Sequence, residues 1–310
     1  MIRRLLKLSE RRDSNPRPLP PQGSALARLR YVPITGETPI NVQNMFPNVK
    51  KTLHYSLFEM KFLYSIFILV SSLLSLSSAT QAQIESANQL ILVVAPDWNA
   101  TNGTMYLFDR SDQEWSQYNV PWKVVLGDSG LAWGIGIHTN PPNDRMKTEG
   151  DHRSPAGVFE LGEFFGYDST PPAGIRYPYR WATKSVHCVD DTGSLFYSSF
   201  IGENQVLRDS AGTLPWKSSE MMRLDSVDYK YGIVVRHNPR AIPGKGSCIF
   251  LHLMRADSSA TTGCTAMGED NMLFLMQWLD PEKHPVFVQL PAVTFREYLL
   301  DWNLPLLLKK

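Results

Sequence analysis

Short apolar runs separated by glycine and proline characterise the chain after residue 83. Five of these runs have the length and the branched or aromatic composition of β-strands: residues 89–95, 105–109, 122–126, 231–237 and 247–253. The Asn102-Gly103 pair predicts a hairpin turn between the first two runs. The recurrent Gly and Pro residues favour short strands and irregular loops over strand–helix–strand units. The pattern therefore predicts a mainly β domain.

Helical periodicity is confined to a few segments. Residues 268–279 form the clearest amphipathic helix, which ends before Asp280-Pro281 because proline cannot continue a helix. Its apolar positions are assigned to the core: Met272, Leu275, Met276 and Leu279. A shorter helix is predicted over residues 218–223.

An export signal occupies residues 60–82. A lysine is followed by an apolar stretch over residues 62–76, and small residues that include Ala79 and Ala82 come next. The segment is therefore predicted to be a signal peptide that is cleaved after Ala82, with an uncleaved membrane anchor as the alternative. We expect an exported protein of the periplasm or cell envelope, with transient membrane contact only through the signal segment.

Residues 1–59 precede this signal, although a signal peptide should be N-terminal. Within them, residues 11–21 are rich in Pro and Arg and have neither helical nor strand periodicity, so this stretch cannot bury enough apolar area to offset the cost of ordering. We interpret them as a mis-called upstream start, with translation beginning at Met60, or as a disordered basic segment. The rest of the chain is predicted to be a single domain over residues 83–300 with a C-terminal tail over residues 301–310.

Charge is distributed unevenly along the chain. The net charge is +1, yet residues 1–59 hold ten Lys or Arg and four Asp or Glu. The remainder is therefore mildly acidic, which argues against nucleic acid as a partner. The seven histidines are scattered without the spacing of a metal site, so we expect no metal.

The candidate chemistry lies in a histidine and a cysteine twelve residues apart, His252 and Cys264. A catalytic thiol needs a base, because the thiolate is the nucleophile and a free thiol is mostly protonated at neutral pH. Gly263 allows a sharp turn before the cysteine, where backbone N–H groups of Gly263 and Cys264 can face an oxyanion. The alternative is a core histidine and a buried cysteine that share a stretch by chance.

The sequence around this pair resembles the L,D-transpeptidase catalytic domain (YkuD-type), in the branch with a GSxIFLH strand. The matching residues are His252 and the Thr-Thr-Gly-Cys turn at 261–264, and a second block at 147–159 resembles the family's K-x-E-G-D-x-(K/R)-(T/S)-P-x-G-x-F segment. The match covers roughly residues 89–291. The resemblance implies a single β-sandwich-like domain of mixed sheets with a few peripheral helices. It also implies a cysteine acyltransferase that acts on peptidoglycan stem peptides and needs no cofactor.

The family resemblance has a departure beside the cysteine. The commoner pattern has a histidine before the glycine and an arginine two residues after the cysteine, where this chain has Thr262 and Ala266. A substrate carboxylate therefore lacks its usual cation. We predict Thr262, Arg236 and Arg153 as substrate-binding residues, and His237 and Lys147 are further candidates for the cation.

Two rival functions remain open at this point. A carboxypeptidase or hydrolase would use the same pair with water as the acceptor. A non-catalytic cell-wall binding module would keep the fold without the reaction.

The three cysteines leave two besides the candidate nucleophile. Cys188 and Cys248 could form a disulfide in an exported protein. We favour the alternative that they are two separate buried apolar side chains in strands.

Overall fold

The computed structural model describes residues 84–112, 114–139 and 145–307. The predicted signal peptide and the segment before it lie outside these residues. Within the described ranges, no helix is both long and apolar enough to cross a membrane.

Most of the described residues that form regular structure are in strands. The strands are β1 (Gln89–Ala95), β2 (Asn102–Ser111), β3 (Glu114–Gln117), β4 (Trp122–Val125), β5 (Leu131–Trp133), β6 (Ser154–Gly166), β7 (Tyr179–Trp181), β8 (Val186–Cys188), β9 (Phe200–Gly202), β10 (Glu220–Met221), β11 (Tyr231–Val235), β12 (Phe250–Leu253), β13 (Thr265–Met267) and β14 (Val286–Pro291). The α-helices whose bounds both lie within the described ranges are α1 (Glu269–Trp278) and α2 (Ala292–Glu297).

The large mixed sheet closes on itself. Its strand order is β1-β14-β6-β11-β12-β13-β4-β2, and β2 also pairs with β1 in antiparallel register. Three further strands pair with members of this sheet: β3 pairs with β2, and β5 and β7 pair with β6. Leu90, Ile91 and Leu92 of β1 are all fully buried, and because successive side chains point to opposite faces, both faces of this strand are covered.

A second, smaller sheet is separate from the large one and has the strand order β10-β8-β9. Met221 and Glu220 of β10 pair with His187 and Cys188 of β8. This pairing contradicts the predicted helix over residues 218–223, because the tertiary partner strand overrides the local helical preference. The predicted hairpin of β1 and β2 is confirmed, but the position of its turn is wrong, since Asn102 and Gly103 begin β2 and pair with β4.

The prediction of a mainly β, mixed-sheet domain with few helices is confirmed. Helix α1 follows the predicted pattern, and all four apolar positions assigned to it are fully buried. Gln89 fixes the end of this helix, since its side-chain amide donates to the Trp278 carbonyl at 2.9 Å and accepts from the Asp280 N–H at 2.8 Å. Beyond residue 300, Trp302 is buried against Tyr298 and His138.

A disulfide joins the small sheet to the large one. Cys188 of β8 and Cys248, two residues before β12, are bonded with a Cα–Cα distance of 5.8 Å. The favoured prediction of two separate buried cysteines was therefore wrong. The two residues are 60 positions apart, and only the tertiary fold brings their Cβ atoms within bonding reach.

Replacing both Cys188 and Cys248 by Ser should lower the free energy of unfolding by about 2–4 kcal/mol, because the bond restricts the unfolded chain. Urea unfolding of the oxidised proteins would measure the difference. The matched control is Cys264→Ser, which retains the disulfide. Equal stability of the double variant and the control would contradict a structural role for the bond.

Candidate active site

His252 and Cys264 come together because β12 and β13 are parallel neighbours. Leu251 pairs with Thr265 and His252 with Ala266, so Cys264 emerges from the turn beside the histidine strand. Both side chains line one cavity of about 50 Å³. The further residues that line it are Leu224, Asp228, Tyr229, Arg255, Ser259, Ala260, Thr261, Thr262 and Ala266.

The turn before Cys264 is fixed by hydroxyl groups. Thr261 Oγ1 donates to the Cys264 carbonyl at 2.7 Å and accepts from the Gly263 N–H at 3.2 Å. Ser154 Oγ, on β6, donates to the same carbonyl at 2.7 Å. Gly263 has a φ of +138°, and a Cβ there would lie 3.2 Å from the Arg153 carbonyl oxygen. Both facts explain why the position before the cysteine requires glycine.

The Cys264 thiol is buried and held between two backbone groups. Its Sγ accepts from the Phe250 N–H at 3.3 Å, and its S–H faces the Cys248 carbonyl at 3.6 Å. Burial, followed by the negative charge of Glu220, raises the pKa of Cys264 to about 12. The resting side chain is therefore a neutral thiol, which needs a base at the moment of attack.

His252, on the neighbouring strand, is held in one orientation by a backbone carbonyl. Its Nδ1 lies 2.8 Å from the Leu253 carbonyl, which can only accept, so Nδ1 carries the proton and Nε2 keeps its lone pair. Burial lowers the pKa of His252, and the nearby charge of Asp228 partly opposes this shift. The Tyr229 ring packs edge-on against the imidazole with a centroid distance of 5.3 Å. The histidine is therefore a neutral, fixed acceptor.

Glu220 and Tyr229 form a hydrogen-bonded pair near the Cys264 thiol, and the sequence analysis did not predict it. The Tyr229 hydroxyl donates to Glu220 Oε2 at 2.5 Å. Burial raises the pKa of Glu220 to about 7, and the charges of Asp190 and Glu149 act in the same direction. Glu220 gave no signal because its segment was interpreted as a peripheral helix, whereas β10 places it next to Cys188.

The second sequence block, at residues 147–153, adjoins the turn that precedes Cys264. The buried Lys147 ammonium donates to Asp151 Oδ1 and to the Arg153 carbonyl, both at 2.7 Å. That carbonyl is the one next to Gly263. The charge of Lys147 also lowers the pKa of Cys264, although less than burial raises it. The block at 147–153 therefore shapes and polarises the turn.

The structure brings only some of the predicted substrate-binding residues to the cavity. Thr262 is exposed and lines it. Arg153 adjoins the turn through its carbonyl, but its guanidinium donates to the Leu131 carbonyl at 3.3 Å. Arg236 lies at another cavity, of about 380 Å³, which Glu160 and Tyr177 also line.

Another candidate cation, His237, is buried and serves a structural role. Its Nδ1 accepts from the Ile135 N–H at 3.2 Å, and its Nε2 donates to the Lys245 carbonyl at 2.9 Å. Burial lowers the pKa of His237 to about 3, so the ring is neutral. Across the described ranges, no three His, Cys, Asp or Glu side chains are grouped as metal ligands.

Comparison with known proteins defines the family. The model of the L,D-transpeptidase catalytic domain (YkuD) matches residues 97–288, more than half of the chain. The chain therefore belongs to this family, whose members act on the peptidoglycan of the cell wall. No curated protein matches it.

Two solved structures are similar to the chain. The helical cell shape determining protein Pgp2 from Campylobacter jejuni matches with 13% identity and a TM-score of 0.31, over 69% of this chain and 54% of that one. A variant of that protein with one lysine replaced by alanine matches with 14% identity and a TM-score of 0.30, over 69% and 53%. The chain thus spans about half the length of these proteins.

Glu220→Gln should lower the pKa of Cys264, because it removes a negative charge while its amide oxygen can still accept from Tyr229. The rate of Cys264 alkylation by iodoacetamide, followed against pH, measures this shift. Glu269→Gln, at the exposed ion pair with Lys230, is the matched control. An identical pH profile in wild type and Glu220→Gln would refute the electrostatic coupling.

The same variant should also change the pH dependence of stability. The folded-state pKa of Glu220 lies above its ordinary value of 4.5, so ionisation favours the unfolded chain. The free energy of unfolding contributed by this group therefore falls as pH rises from about 4.5 to about 7. Glu220→Gln should show a smaller fall over this range in urea titrations.

Proposed function

We propose that this protein is an L,D-transpeptidase that uses Cys264 as its nucleophile and His252 as its general base. The observation that supports the proposal is that the buried Cys264 thiol and the His252 imidazole, whose Nδ1 is engaged by the Leu253 carbonyl, line the same cavity. The substrate is a peptidoglycan stem peptide with an L-to-D bond at its third residue. A cavity of about 50 Å³ admits the scissile carbonyl, while the rest of the peptide lies along the mouth.

In the acylation step, Sγ of Cys264 attacks the scissile carbonyl as its proton moves to Nε2 of His252. The carbonyl electrons form an oxyanion that the backbone N–H groups of Gly263 and Cys264 stabilise. The Gly263 N–H must then leave Thr261 Oγ1, which already bonds it. Collapse of the intermediate breaks the peptide bond, and the imidazolium returns the proton to the leaving amine. The product is a thioester on Cys264.

In the second step, a side-chain amine of another stem attacks the thioester and loses its proton to His252. The new amide bond forms, and the thiolate recovers the proton from the imidazolium. Burial of Cys264 favours the neutral thiol at the end of each cycle. The reaction needs no cofactor.

The segment before the domain completes the proposal. Residues 60–82 serve as a signal peptide, so that the domain reaches the periplasm or cell envelope where peptidoglycan lies. Mass analysis of the mature N-terminus should find a start at residue 83. A peptide from residues 1–59 in the cell-associated protein would argue against translation from Met60.

Cys264→Ser should abolish formation of the acyl-enzyme, because a neutral hydroxyl is a far poorer nucleophile beside a weak base. His252→Ala should slow acylation by about 10²–10⁴-fold, the usual effect of losing a general base. Intact mass spectrometry of the enzyme mixed with a tetrapeptide donor measures both. His284→Ala, an exposed histidine away from the cavity, is the matched control. Rapid acylation of either site variant would exclude the pair as the catalytic residues.

The fate of the thioester separates transfer from hydrolysis. Incubation of residues 83–310 with purified muropeptides should give cross-linked dimers and released D-amino acid. Tripeptide products without dimers would show that water is the acceptor. A protein that is never acylated under these conditions would be a binding module.

A further inference from the structure

We propose that Arg255 binds the terminal carboxylate of the donor peptide, and that it replaces the arginine that this chain lacks after its cysteine. This inference rests on the proposed function and assigns the donor-specificity residue of the same site. No sequence signal pointed to Arg255, because it lies on the histidine side of the site, whereas the missing arginine belongs to the cysteine side.

Arg255 is positioned at the cavity by its place in the chain. It follows the end of β12 by two residues, and it lines the cavity together with His252, Cys264 and Ala266. Ala266 is the residue that stands where the commoner family pattern has arginine. The side chain that is missing and the side chain that we propose in its place therefore border the same small space.

The guanidinium of Arg255 is anchored on one edge only. Its Nε donates to Asp228 Oδ2 at 2.7 Å, and that carboxylate side chain is only 5% exposed. The arginine side chain itself is 57% exposed, and within the described ranges its two Nη nitrogens have no hydrogen-bond partner. A fixed guanidinium with two free donors matches the two oxygens of a carboxylate.

The other basic side chains near the site are engaged or lie elsewhere. Lys147 is 4% exposed and bonded to Asp151 and the Arg153 carbonyl. Arg236 lines a different cavity. Among the described residues that line the cavity of Cys264, Arg255 and His252 are the basic ones, and His252 is kept neutral until it takes a proton. Arg255 is therefore the permanent cation of this cavity.

The terminal carboxylate of the donor lies close enough to the attacked carbonyl for Arg255 to bind it. When the scissile bond is the last of the stem, the leaving residue carries a free carboxylate one residue beyond the attacked carbonyl. Adjacent Cα atoms are about 3.8 Å apart, so a cation at the mouth of a cavity this small can reach that carboxylate. A donor extended by another residue, or amidated at its end, presents no charge there. Arg255 thus selects donors that end immediately after the scissile bond.

The test compares acylation of Cys264 by a tetrapeptide donor with a free C-terminus and by the same donor as its C-terminal amide. In the wild type, kcat/KM should favour the acid. Arg255→Ala should reduce kcat/KM for the acid by roughly 10- to 100-fold, the effect of losing charge-assisted hydrogen bonds, and leave the amide nearly unchanged. Arg255→Lys should restore part of the preference, because it keeps the charge without the fork. Arg236→Ala is the matched control and should keep the full preference.

Three outcomes would overturn the inference while leaving the proposed function standing. A wild type that does not distinguish acid from amide would remove the need for a cation. Unchanged kcat/KM for both donors in Arg255→Ala would place the cation elsewhere. An equal loss on both donors would mean that Arg255 acts through Asp228 on the histidine. A wild type that neither donor acylates would instead refute the proposed function, and this inference with it.

Discussion

The parallel pairing of β12 with β13 is the constraint on which the site depends. It sets His252 opposite Ala266 and brings the end of the Thr-Thr-Gly turn beside the imidazole strand. Parallel strands need a connection that crosses back, and here the crossing loop carries both Arg255 and Thr261. One backbone arrangement therefore places the proposed nucleophile, the proposed base, the turn and the proposed carboxylate cation around a single cavity.

Burial then determines the chemistry that this arrangement can perform. The same low-polarity surroundings raise the pKa of Cys264 and lower that of His252, so both groups rest neutral. A resting thiolate–imidazolium pair is thereby disfavoured, as the proposed mechanism requires. Lys147 and Glu220 act in opposite directions on the pKa of the thiol: Lys147, in the block at 147–153, lowers it, and Glu220, in the small sheet, raises it.

The small sheet contributes to the surroundings of the Cys264 thiol. Its disulfide ends at Cys248, which has a left-handed conformation with a φ of +55° and whose carbonyl faces the Cys264 thiol. On the same strand pair, Glu220 lies opposite Cys188 and accepts from Tyr229, which in turn packs on His252. The disulfide thus restrains the backbone that contacts the Cys264 thiol. It also restrains the strand pair that carries Glu220.

The amino-acid sequence by itself determined the mainly β class, the helix after the catalytic turn and the candidate pair of His252 and Cys264. These are local properties, since strand runs, helical spacing and a Gly-Cys turn are all read within a few residues. Only the tertiary structure decided the Cys188–Cys248 bond, the strand at Glu220, the position of Arg236 at a different cavity and the place of Arg255 beside the thiol. Each of these depends on which distant segments become neighbours when the sheet closes, and local patterns carry no information about that choice.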